Sequence, residues 1–409
     1  MPGTKSGGPG VLAFGAAVGS NDPRLSIHPL PLSLFTYHPI HPLHDSTSLR
    51  FNLSTMTPSL QLTKILPTQI LRLTSLTLHA TYSLCCLFSV CLLAIGSSLS
   101  AIAQEPKPTT NLKSAKAPAA KRIVFLGDSI THAGRYIAIL ETALRLEYPD
   151  QPIPEFLNLG LPSETVSGLS EPGHAGGAFP RPDLHERLAR VLAETKPDIV
   201  VACYGMNCGM YYPLSQDRFD KFKSGIERLH SEVEKTGAMI IHLTPAFFDA
   251  LPIGDRLLPE GLEEYRQPYA KYDDVLEAYS LWLLEQRTRG WKVLDVHGAM
   301  KSAVIEARKT NPNFTLASDG VHPNAAGQAI VAKPLADHWG LVLDPNGLPK
   351  HPRGAELVDL IANKQNNLKL SWLTITKHTR PGIPEGKNLN QVAAENKQIE
   401  DKINELLKQ

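Results

Sequence analysis

Between Arg122 and His338 the chain alternates short runs of Val, Ile, Leu and Phe with longer stretches in which apolar residues recur every three to four positions. Runs of this length, apolar throughout, are buried on both faces, and the intervening segments are long enough to cross back over a sheet as helices. The pattern therefore predicts a parallel sheet covered on both sides, wound by right-handed crossovers. Strands are predicted at Arg122 to Leu126, Pro154 to Leu159, Asp198 to Tyr204, Ala238 to Leu243 and Lys292 to Val296. Helices are predicted at Tyr136 to Leu146, Asp183 to Thr195, Gln216 to Lys235, most of 262–289, and Asn324 to His338.

The first 121 residues do not share this pattern. From Ser46 to Gln104 there is no Asp or Glu, and the opening stretch is rich in His, Pro, Ser and Leu without a sustained period. Leu84 to Ile95 is an apolar run preceded by Lys64 and Arg72 and followed by small residues ending Ala101-Ile102-Ala103. That is the order of parts in a secretory signal, so cleavage near Ala103 and export to the periplasm or medium are expected. An uncleaved anchor is the alternative, but the run is short beside the ~20 apolar residues a spanning helix needs. Stable membrane insertion after cleavage is not expected. Met56 makes a more ordinary signal-peptide start than Met1. The expected organisation is a leader and signal over 1–103, a Lys/Pro/Ala/Thr-rich linker over 104–121, an α/β domain over 122–343 and a mostly helical appendage over 344–409.

With 41 Lys and Arg against 40 Asp and Glu, the net charge is +1, which gives no basic field for nucleic acid. Of the five cysteines, only Cys203 and Cys208 lie beyond the expected cleavage point, too few for a disulfide scaffold or zinc cluster. His132, His174, His185, His230, His242 and His297 are scattered without ligand spacing, and no Gly-x-Gly-x-x-Gly follows a strand. Neither a metal nor another cofactor is expected.

Four short motifs fall at the carboxyl edge of the expected sheet, where open α/β folds place their chemistry. They are Gly127-Asp128-Ser129, Gly160, Gly205-Met206-Asn207, and Asp319-Gly320-Val321-His322 before the last domain helix. In this order the chain resembles the SGNH/GDSL hydrolase superfamily over about residues 122–340. The resemblance implies a three-layer α/β/α sandwich, flavodoxin-like, around a five-stranded parallel doubly wound sheet, and hydrolysis of acyl esters.

The chemistry needs these residue types. A serine hydroxyl is a poor nucleophile until a base takes its proton, so Ser129 requires His322 as base, with Asp319 fixing the imidazole tautomer. Asp and His three apart meet locally, and Gly320 and Pro323 shape the turn between strand layer and helix. By resemblance, the oxyanion would be met by the backbone N–H groups of Ser129 and Gly160 and the amide of Asn207. Asp128 either orders the serine turn or simply caps the next helix. One position departs from the pattern: the superfamily usually has Gly-x-Asn-Asp, and here Cys208 follows Asn207. Either neighbouring groups hold Asn207, or the loop is looser, or Cys208 pairs with Cys203; the first is favoured.

The segments expected to enclose the substrate are 161–180, Met210 to Pro213, and 244–261, polar and aromatic rather than continuously aliphatic. They suit a short acyl ester, an acetylated carbohydrate, better than a long acyl chain. A lipase or lysophospholipase, and an inactive saccharide-binding protein, are the alternatives. Past His338, Ala355 to Ile361 is read as helical, Leu368 to Thr376 as an alternating run around Trp372, and Leu389 to Leu407 as a charged helix. The appendage is read first as packing, with Trp372, His378 and Arg380 as candidates for a subsite.

Overall fold

Five parallel strands form one sheet in the order β2-β1-β3-β4-β5. They are β1 (Arg122–Gly127), β2 (Glu155–Asn158), β3 (Ile199–Cys203), β4 (Met239–Leu243) and β5 (Lys292–Leu294). The computed structural model describes residues 118–409; the expected leader, its cleavage point and most of the expected linker lie outside the described residues. β1 and β3 are neighbours in register, Ile123 beside Ile199 and Gly127 beside Cys203, and every residue of β3 is buried. The order reverses between β1 and β3, so the crevice at their carboxyl ends is the topological switch point.

The helices are α1 (Ser129–Ala133), α2 (Arg135–Glu147), α3 (Leu184–Thr195), α4 (Gln216–Lys235), α5 (Tyr272–Glu285), α6 (Val296–Arg308), α7 (Ala325–His338), α8 (Gly354–Ile375) and α9 (Leu389–Leu406). Their starts follow local chemistry. Asp183, Asp295, Asn324 and Asn388 each accept a backbone N–H of the first turn at α3, α6, α7 and α9. The α/β class, the five strands and the helical C-terminal region agree with the sequence reading.

Two local expectations are corrected and one element is new. Residues 262–271 are not helical: Pro268 disfavours helix before it, its carbonyl accepts from Leu258 N at 2.9 Å, and Tyr269 N donates to Tyr211 O at 2.8 Å. Helix α6 was not foreseen, although Asp295 supplies its cap. Leu368 to Thr376 is not an alternating run but the end of the 22-residue helix α8, whose buried face runs Leu357, Ile361, Gln365, Lys369, Trp372. Two of those five are polar, so an apolar count misses the helical period.

Helix α8 packs on α2 and β2, and α9 packs on α8. Arg145 and Lys364 share the carboxylates of Glu141 and Glu400, and Gln365 Nε2 donates to Glu141 Oε2 at 2.7 Å, tying α2, α8 and α9 together. Trp372 is buried, with the Arg122 guanidinium 5.5 Å from its ring centre, which answers the subsite reading of this residue in favour of packing.

Candidate active site

Ser129 is the first residue of α1, directly after β1. Asp128 makes the turn by accepting the Ile130 N–H at 2.9 Å. Its carboxyl is buried, and burial, only partly offset by that N–H and by His322, pushes its pKa up to about 6. As the first helical residue, Ser129 has a backbone N–H with no intrahelical acceptor.

His322 Nε2 lies 2.8 Å from Ser129 Oγ, and His322 Nδ1 lies 2.7 Å from Asp319 Oδ2. The network assigns the tautomer: Nδ1–H donates to the carboxylate, leaving Nε2 to accept the serine proton. The other Asp319 oxygen accepts from Val321 N at 2.9 Å and His322 N at 2.8 Å. Burial works against the Asp319 charge, yet these N–H bonds and the imidazole outweigh it and hold its pKa below the ordinary value. The turn closes because Gly320 has φ +82°, a left-handed conformation, and a Cβ there would stand 2.7 Å from Asp249 O. Asp249 N donates to Gly320 O at 2.9 Å, while its carboxylate takes Arg308 Nη2 and Thr315 Oγ1, each at 2.7 Å. A buried carboxylate on one side thus braces the exposed His322 loop on the other.

Gly160 follows β2 and lies against α1. A Cβ on Gly160 would strike His132 N and the Thr131 carbonyl carbon, so the close approach that requires glycine is to the helix backbone. Its N–H donates to Asn158 Oδ1 at 3.0 Å, and its carbonyl takes the His132 Nδ1–H at 2.9 Å. Burial and the nearby Lys369 ammonium lower the His132 pKa to about 4, keeping the ring neutral. Asn158 Nδ2 donates to Thr131 O at 2.8 Å, and Lys369 Nζ on α8 donates to His132 O at 2.8 Å.

Asn207 sits in the loop after β3, where Tyr272 OH bonds Met206 O at 2.7 Å. Its Oδ1 accepts from Arg181 Nη1 at 2.9 Å and Tyr211 OH at 3.3 Å; its Nδ2 has only a long contact with Glu164 O, 3.4 Å. Cys203 and Cys208 are both free and buried. Beneath this loop, Arg187 forks Glu164 at 2.6 and 2.7 Å and bonds Leu159 O, and Tyr204 OH bonds Glu164 at 2.7 Å. Sequence reasoning did not single out Asn158, Glu164, Glu171, Arg181 or Arg187. Glu164, Glu171 and Arg181 lie in or at the end of a Gly/Ser/Pro-rich loop, where charged residues carry no periodic signal that marks them as buried; Asn158 ends β2 and Arg187 lies on α3.

The 161–180 loop and Tyr212 do meet across a groove of about 760 Å³, walled by Glu171, Gly173, Gly177, Tyr212, Tyr265 and Arg266. Tyr212 and Tyr265 face each other with ring centres 5.4 Å apart. The third wall of this groove is the 264–266 turn, while the 244–261 segment lies against the His322 loop, with Asp249 and Ile253 beside Gly320. Arg380 bonds Pro162 O at 2.9 Å and lies over the Phe179 ring at 5.3 Å, so it braces this loop from behind. Among the described residues no cluster of metal-ligating side chains is present, and no helix is long and apolar enough to cross a membrane.

A family model described as GDSL-like lipase/acylhydrolase matches residues 125–330. No curated protein matches the chain. Among solved structures the chain is similar to BT4096, a gut microbial diltiazem-metabolizing enzyme, at 20% identity, covering 56% of this chain and 49% of that one, with TM-score 0.43. The match thus spans about half of that enzyme's length. It is also similar to a catalytic mutant of Axe2, an acetylxylan esterase from Geobacillus stearothermophilus, at 22% identity over 54% of this chain and 95% of that one, with TM-score 0.40.

Proposed function

The chain belongs to the GDSL-like lipase/acylhydrolase family and is a carboxylic ester hydrolase; from that premise we propose that it cleaves short acyl, chiefly acetyl, esters of carbohydrates through Ser129, His322 and Asp319. The observation that carries this reading is the continuous chain from Asp319 Oδ2 to His322 at 2.7 Å and from His322 to Ser129 Oγ at 2.8 Å.

Ser129 Oγ attacks the ester carbonyl as His322 Nε2 takes its proton, and Asp319 stabilises the imidazolium. The oxyanion is met by Ser129 N–H, Gly160 N–H and Asn207 Nδ2. The Gly160 N–H then divides its proton between the oxyanion and Asn158 Oδ1, which already holds it at 3.0 Å. His322 returns its proton to the leaving alcohol, and water repeats the cycle on the acyl-enzyme. Each oxyanion donor is worth ~10² to 10³ in turnover. No cofactor enters this scheme.

Support for a small acyl group and a polar alcohol comes from the side chains bonded to Asn207, Arg181 and Tyr211, and from Glu171 behind Arg181, which are polar. The groove walled by Glu171, Tyr212, Tyr265 and Arg266 offers charged groups to the hydroxyls of a sugar, and it adjoins the Asn207 loop through Glu171, which holds Arg181. We place the hydrolytic unit at 122–343, with 344–409 as its cover, acting outside the cell after cleavage near Ala103.

The test is a screen of acyl length and alcohol on the mature protein. Acetylated saccharides and p-nitrophenyl acetate are expected to be hydrolysed, and preference for chains of eight carbons or more would turn the reading toward a lipase.

A further inference from the structure

Asn207 lacks the neighbouring carboxylate usual in Gly-x-Asn-Asp, because Cys208 occupies that position. Its amide is oriented from another direction. Arg181, held between Pro180 and Pro182, reaches Asn207 Oδ1 with Nη1 at 2.9 Å. The rest of the guanidinium is fixed: Nε and Nη2 fork the two oxygens of Glu171, both at 2.7 Å, and the Arg181 backbone N–H bonds Ser170 Oγ at 2.8 Å. The guanidinium carbon lies 5.6 Å from the Tyr211 ring centre.

A guanidinium only donates, so the Asn207 atom that faces it must be the carbonyl oxygen. That fixes Nδ2 as the amide's donor, and its contact with Glu164 O is long, 3.4 Å. Burial works against the Arg181 charge, but the Glu171 bonds outweigh it and keep the group cationic. A charged donor on Oδ1 also draws electron density from the amide and strengthens its N–H as a donor.

We propose that Arg181, locked by Glu171, is the positioning residue that aims and polarises the Asn207 amide as oxyanion donor, in place of the missing carboxylate at 208. The inference rests on the reading of Asn207 as an oxyanion donor. Glu171 also walls the groove, so a polar alcohol seated there touches the residue that holds Arg181.

The test is a double-mutant cycle on p-nitrophenyl acetate hydrolysis with Arg181→Met, Asn207→Ala and the pair. Arg181→Met is expected to lower kcat on the order of 10-fold, as small misplacements of a donor do, with KM little changed. Asn207→Ala is expected to lower kcat ~10²-fold, and the pair to be no slower than Asn207→Ala alone. Arg181→Lys keeps a charge without the fork and is expected to recover part of the loss. If the two losses multiply in the pair, Arg181 acts elsewhere and the inference fails while Asn207 keeps its role. If Asn207→Ala is fully active, the underlying reading fails and the inference with it. Should Arg181→Met not fold, Glu171→Gln carries the same cycle, and a loss that persists undiminished in the Asn207→Ala background overturns the inference.

Discussion

Lys369, on the C-terminal helix α8, donates from Nζ to the main-chain oxygen of His132 at 2.8 Å, and the His132 ring in turn holds the Gly160 carbonyl at 2.9 Å. A residue 237 positions along the chain thereby sets the height of the loop that presents the Gly160 N–H. Lys369→Met is expected to lower kcat for small and large esters alike, roughly three- to tenfold, by loosening that loop. Steady-state kinetics with p-nitrophenyl acetate checks it; unchanged kcat would make α8 a passive cover. Deletion of the whole segment is a poorer probe, because it also uncovers α2 and β2.

Asp128 gives a pH-dependent stability prediction. Its folded pKa is raised by burial from 3.8 to about 6, so the folded state binds its proton more tightly than the unfolded chain does. The resulting penalty is absent below the unfolded value and complete above the folded one. Asn at this position keeps the bond to Ile130 N without the charge. Asp128→Asn should therefore match the parent near pH 3 to 4 and exceed it increasingly toward pH 7, by on the order of 3 kcal/mol. Denaturant unfolding of both proteins across that range decides it, and a pH-independent difference would show that the buried charge is not the cause.

Cys208 is buried, and burial pushes its thiol pKa up to about 11, although the backbone at Val166 and Ser167 and the Ser167 side chain favour negative charge there. A carboxylate at this position would meet those same groups. Cys208→Asp is expected to fold and to keep kcat within about threefold, since Arg181 already aims Asn207. Thermal melting and kinetics on the variant check this; loss of folding would mean that the loop no longer accepts a charge.

The residues read as catalytic were legible because each closes a strand or turn at one edge of a sheet whose pattern is itself plain: Ser129 after β1, Gly160 after β2, Asn207 after β3, and His322 three residues from its own partner Asp319. The braces were not legible. Arg181 and Asn207 are 26 positions apart and Arg308 and Asp249 are 59 apart, and a charged residue in a loop looks the same whether it faces water or a buried carboxylate. Helix α8 was half-missed for a related reason: Gln365 and Lys369 occupy its buried face, where Gln365 Nε2 donates to Glu141 and Lys369 Nζ to His132 O, partners that only the folded chain provides. For the loop at 262–271, the leading apolar residues suggested a helix, and Pro268 with its pairing to Leu258 prevented one.

Turnover is expected to fall on acidification, because protonated His322 can no longer accept from Ser129 Oγ at the 2.8 Å contact. Measuring kcat/KM from about pH 8 down to about pH 5 checks it. A profile flat over that range would remove His322 as the base.

The most direct measurement is peptide mapping after reaction with a fluorophosphonate, which labels only a serine activated by a neighbouring base. Ser129, 2.8 Å from His322 Nε2, should carry the single adduct, with ester hydrolysis lost in proportion to labelling and no adduct on Ser129→Ala. An adduct on another residue, or full activity with Ser129 blocked, would contradict the account.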